Sequence, residues 1–179
     1  VEPARIPEDR RSRETPDAYA ERLARAKAAA VVERCPDALV LGGDTVVALD
    51  DSIIEKPTGD AEAAAMLRRL SGRDHRVVTG LALAVPGEGL RSGVRATRVR
   101  FRRLLEEEVE AYVESGDGRD KAGGYAIQGR GAALVQEIEG EYHAVVGLSV
   151  SLLVDLLERA GRPYRFGASG VPTSTMEGR

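Results

Sequence analysis

The chain has 179 residues, 42% hydrophobic and 31% charged, enough for one α/β domain with a real core. A net charge of −3 argues against non-specific nucleic-acid binding, no stretch approaches the roughly eighteen apolar residues of a membrane span, and residues 1–13 are too polar for a secretory signal. The one cysteine, Cys35, excludes an internal disulfide, makes a thiol-tolerant cytoplasm the simplest home, and reads between Arg34 and Pro36 as a helix-end filler, not a nucleophile.

Residues 15–33 read as a helix, with Thr15 as N-cap, Pro16 at the first helical position, and Tyr19, Leu23, Ala26 and Ala30 on one stripe. Lys27 lies on the edge of that stripe, where a lysine either snorkels to water or points at an anion near the core. Residues 38–41 form a short apolar strand that runs into Gly42-Gly43-Asp44, and strand character resumes over 46–49. Asp50-Asp51-Ser52 is a turn signal, so Ile53-Ile54 starts the return strand of a hairpin that Lys56-Pro57 ends. Asp60 can cap a helix that runs through Leu70, with Ala63, Met66, Leu67 and Leu70 at helical spacing, and Gly72 ends it.

Strands follow over 76–85 and 93–101, and residues 106–115 form an acidic helix that Gly116 breaks. After the segment Asp120-Lys121-Ala122-Gly123-Gly124-Tyr125-Ala126-Ile127-Gln128-Gly129, strands are expected near 132–138 and 142–146, then a last helix over 149–160. The six arginines between Arg91 and Arg103 suit the solvated face of an edge strand, with a basic surface for anionic substrate as the alternative. Interleaved helices, strands and hairpins imply a mixed twisted sheet with helices on both faces, in a single domain over residues 1–166 followed by a loose tail over 167–179.

Few residues look reactive. Asp44 follows a strand and two glycines that let a ligand approach the backbone. A carboxylate there can ligate Mg²⁺ or activate a water, or serve simply as a turn aspartate. Lys56 and Lys121 sit beside backbone breakers, where an ammonium suits phosphate oxygens, although an isolated surface lysine looks the same. Gln128 offers the donor and acceptors that reading a base edge requires, or caps a strand end. His75 reads as a structural hydrogen-bonding residue at a strand entry, and His143 has no evident partner. There is no Walker A loop, no Gly-x-Gly-x-x-Gly and no His/Cys metal set.

Gly42-Gly43-Asp44-Thr45-Val46-Val47, Lys56-Pro57, Leu70-Ser71-Gly72-Arg73 with His75 and Thr79-Gly80, and Asp120 to Gly129 stand in the order and spacing of the Maf family. The resemblance runs from about Glu8 to Leu157. It implies a fold related to inosine triphosphate pyrophosphatases, commonly a homodimer, and hydrolysis of a nucleoside triphosphate to monophosphate and pyrophosphate with a divalent cation, Mg²⁺ or Mn²⁺. By that resemblance Asp44 is the catalytic acid and a metal ligand, Glu8 is metal-associated, and Lys27, Lys56 and Lys121 face phosphate. Thr45 and Gln128 resemble the branch acting on dTTP and UTP, not the 7-methyl-GTP branch. No membrane and no nucleic-acid polymer is expected as a partner.

Three departures accompany the likeness. The family opens with a strand and a Ser-x-Ser-Pro-Arg-Arg loop, and Val1 begins after that segment. Ile6-Pro7-Glu8 replaces the usual acidic pair. His143-Ala144 and Ser149 stand where asparagine and proline are frequent. A broader house-cleaning pyrophosphatase and a non-catalytic nucleotide-binding regulator of cell division are the rival readings.

Overall fold

The computed structural model describes residues 2–166. The expected tail, 167–179, lies outside the described residues. Helix α1 (Pro16–Val32) begins where Thr15 Oγ1 accepts from the Ala18 amide at 3.2 Å. Strand β1 (Val40–Leu49) is continuous through Gly42-Gly43-Asp44, where the sequence suggested an interruption. It turns through Asp50 and Asp51, both at positive φ, into β2 (Ser52–Ile54), as a tight hairpin requires. Then come α2 (Asp60–Leu70), β3 (Asp74–Val85), β4 (Gly89–Phe101), α3 (Glu106–Ser115), β5 (Val135–Glu139), α4 (Tyr142–Val146) and α5 (Val150–Arg159). The five strands form one sheet in the order β2-β1-β3-β4-β5, and each ladder between them is antiparallel. An α/β sheet flanked by helices on both faces is therefore the architecture.

The pleat sorts the core into two layers. On one face Gly42, Val46, Val78, Gly80 and Ala82 receive α1 through Tyr19, Ala20, Leu23, Ala24 and Ala28. The helix lies unusually close there. A Cβ on Gly42 would stand 2.4 Å from the Ala24 carbonyl oxygen, and one on Gly80 2.5 Å from that of Ala20, so neither position admits a side chain. On the other face Val47, Leu49, Val77, Val99 and Phe101 pack with α2 and α3, and Leu81, Leu83 and Val85 pack with α5.

Residues 142–146 form a short helix, not the expected strand. Only Ala144 in that segment is buried, so the alternation of a half-buried strand is missing. The turn closes on itself, with the Gly147 and Leu148 amides both donating to the His143 carbonyl. The expected strand over 132–138 is a 3₁₀ segment (Gly129–Leu134) leading into β5. The arginines of β4 are solvated and paired: Arg91 with Glu88, Arg95 with Asp155, Arg98 with Glu139 and Arg100 with Asp74. Such exposed pairs are worth little each, and their charge is already balanced.

Candidate active site

Lys27 reaches from α1 across the sheet face to the middle of β1. Its ammonium lies 2.7 Å from Asp44 Oδ1 and 2.8 Å from Glu8 Oε1, so one cation joins the two carboxylates. The two acids differ in setting. Asp44 keeps 10% of its side chain exposed and Glu8 47%. Burial pushes the Asp44 carboxyl above its ordinary value, although Lys27 and Lys56 pull it down. Burial also works against charge on Lys27, but its hydrogen bonds to Asp44 and Glu8 prevail and hold the ammonium above its ordinary value. Tyr19 closes the floor beside them, donating to the Glu8 carbonyl oxygen at 2.7 Å.

Two adjoining recesses meet at this point. Glu8, Lys27, Asp44 and Lys56 line the first, with Glu55 on its rim. Lys121 and Gln128 line the second, over a floor of Val47, Val77, Tyr125 and Val145. Thr45, Lys56 and Ala122 belong to both. The expected residues thus converge on one compound cleft, though not all in one chamber. Lys121 stands in the second recess, where its ammonium donates to the exposed Asp120 carboxylate at 2.7 Å. Gln128 is exposed there and makes no side-chain hydrogen bond among the described residues.

Local geometry explains why the glycine-rich segment carries the second recess. Gly123, at φ 76°, packs within 3.1–3.3 Å of Val47 as judged at a Cβ position, and its amide donates to the Glu55 carbonyl at 3.1 Å. Tyr125 is buried with its hydroxyl 2.7 Å from His75 Nε2, and the Ala126 amide donates to the Tyr112 hydroxyl at 3.0 Å. Two tyrosines therefore pin the backbone from which Lys121 and Gln128 project. His75 is structural, as its place at a strand entry suggested. The roles of Tyr112, Tyr125, Glu55 and Val145 were not anticipated. Tyr125 lies inside the Asp120–Gly129 motif, whereas Val145 lies in a segment whose sequence resembles a strand and which is helical.

No three His, Cys, Asp or Glu side chains among the described residues stand close enough to hold a metal by themselves. The donors present still suit Mg²⁺ or Mn²⁺. Asp44 and Glu8 already converge on one cation, and such ions commonly take one or two carboxylates with substrate phosphates completing the shell.

Comparison with known proteins gives the family. A family profile described as "Maf-like protein" matches residues 1–160. A protein of Symbiobacterium thermophilum named dTTP/UTP pyrophosphatase is 47% identical over 157 residues, 88% of this chain and 80% of that protein. Proteins of the same name from Myxococcus xanthus and Pyrococcus furiosus are 49% and 40% identical, covering 94% and 88% of this chain and 85% and 83% of their own lengths. With the matched profile spanning nearly all the described residues, the chain belongs to the Maf family.

Proposed function

We propose that this chain hydrolyses dTTP and UTP to the nucleoside monophosphate and pyrophosphate, with a divalent cation. The observation that carries the reading is the Lys27 bridge between half-buried Asp44 and exposed Glu8, beside an apolar recess edged by Gln128. The charged recess suits a triphosphate and the apolar one a pyrimidine. The relatives that bear the dTTP/UTP name support the choice of substrate. Asp44 and Glu8 would hold the cation, which when bound neutralises phosphate charge and acidifies a water.

Asp44 takes the proton of the attacking water. Its burial favours that role, since a desolvated carboxylate is the stronger base. Lys27 and Lys56 balance the charge that builds on the phosphates, and Lys121, next to Ala122 where the two recesses meet, exchanges Asp120 for the phosphate oxygen nearest the sugar. Gln128 hydrogen-bonds the base edge. A homodimer and a cytoplasmic home belong to the same proposal; no described helix is long and apolar enough to cross a membrane.

The test is pyrophosphate release from dTTP, UTP, CTP and modified pyrimidine triphosphates with Mg²⁺ or Mn²⁺. Wild type should favour dTTP and UTP, and Asp44→Asn should lose at least about a hundredfold in rate while remaining folded. Comparable rates on all nucleotides would favour the house-cleaning reading, and binding without release the regulator. Near-normal turnover in Asp44→Asn would remove that residue from the chemistry.

A further inference from the structure

Thr45 and Thr79 face each other across the β1–β3 ladder, with their hydroxyl oxygens 2.9 Å apart. The direction of that hydrogen bond is fixed by a proton count. Thr79 is fully buried, and its hydroxyl donates to the Ala144 carbonyl oxygen at 2.6 Å. A hydroxyl has one proton to give. Thr79 can therefore only accept from Thr45, and the Thr45 proton is turned away from the cleft. What Thr45 presents to a ligand is a lone pair. It will satisfy an O–H or N–H group and repel another acceptor.

Thr45 also stands where the two recesses join. Its neighbour Asp44 points to the opposite face of the sheet, toward Lys27 on α1. On the reading above, phosphates fill the charged recess and the base fills the apolar one, so the sugar passes Thr45. The donor that dTTP and UTP share at that place is the 3′-hydroxyl. Resting on that reading of the site, we propose that Thr79 is a positioning residue that locks Thr45 as a hydrogen-bond acceptor for the 3′-hydroxyl of the substrate sugar.

The experiment compares dTTP, 3′-deoxythymidine triphosphate and N3-methylthymidine triphosphate on wild type, Thr79→Ser, Thr79→Val and Thr45→Val. Wild type and Thr79→Ser should prefer dTTP over the 3′-deoxy analogue by about tenfold in kcat/KM, mostly through KM, as for one lost hydrogen bond. Thr79→Val should reduce that preference to about twofold or less. Thr45→Val, at a half-buried position, gives the same answer if Thr79→Val does not fold. Equal use of the two substrates by wild type overturns the proposal. So does a Thr79→Val variant that loses activity on both alike, since that marks a structural role only. A preference lost on N3-methylation, but not on removing the 3′-hydroxyl, moves the contact to the base and overturns the sugar assignment. If wild type releases no pyrophosphate from dTTP at all, the pyrophosphatase reading falls together with this one.

Discussion

At the scale of single residues the cleft is organised around Lys27. The sequence marked it as a lysine on the edge of an apolar stripe, with two possible fates. The structure selects the second: its ammonium sits between Asp44 and Glu8. Its partner could not be read from spacing, because Asp44 is on another element and Glu8 precedes the helix. The consequence is electrostatic. Burial raises the Asp44 carboxyl, and Lys27 is the chief force opposing that rise. Lys27→Met keeps the apolar stem and removes the charge. In metal-free protein the Asp44 carboxyl should then titrate at a higher pH than in wild type, as followed by NMR. An unchanged titration would mean that Lys27 does not set the basicity of Asp44.

Among the elements, α3 was legible to the residue and α2 nearly so, since apolar spacing and the glycines that follow agree on where each ends; at the start of α2 the cap is Gly59, and Asp60, expected as the cap, is the first helical residue. Helix α4 was not. Val145 and Val146 between Gly140 and Gly147 imitate a strand, and only the tertiary contact of the Ala144 carbonyl with Thr79 explains the tight turn. The most consequential packing is that of α1, whose close approach carries Lys27 to Asp44. Glycines in strands usually signal a bend or a ligand, and the sequence reading assigned Gly42 to the ligand. The structure gives it to Ala24 and Ala28. Gly80→Ala would put a methyl group 2.5 Å from the Ala20 carbonyl oxygen, against backbone that cannot swing aside. Overpacking of that kind costs about 1–3 kcal/mol. In denaturant unfolding the variant should be less stable by that amount, and it should lose activity beyond it, because lifting α1 withdraws Lys27. Gly59→Ala, which meets nothing within 4 Å, is the control and should change stability by less than about 1 kcal/mol. Equal stability of the two variants would show that α1 is not held by this contact.

For the whole molecule, the sequence disclosed which residues matter more readily than how they divide. Asp44 and Thr45 are adjacent in the chain yet serve opposite faces of the sheet, a consequence of the pleat that became meaningful only once α1 and α4 were in place. The same layering buries His75 in the layer beneath the second recess. It stacks edge-on with Phe101 and Tyr125, its Nε2 is bonded to Tyr125, and its Nδ1 has no hydrogen-bond partner among the described residues. Burial pushes its pKa down from 6.5 to about 4. A histidine depressed in the folded state binds its proton more readily once unfolded. Its contribution is therefore complete above about pH 6.5 and is lost as the pH falls toward 4. At 1.36 kcal/mol per pH unit this is up to about 3 kcal/mol, a large part of the stability of an ordinary domain. Denaturant unfolding at a series of pH values should show wild type weakening through that window. His75→Gln, which can still bond the Tyr125 hydroxyl but does not titrate, should start lower and decline less over the same range. Parallel curves for the two proteins would place the acid sensitivity elsewhere, and the buried histidine would then be a packing element without a protonation cost.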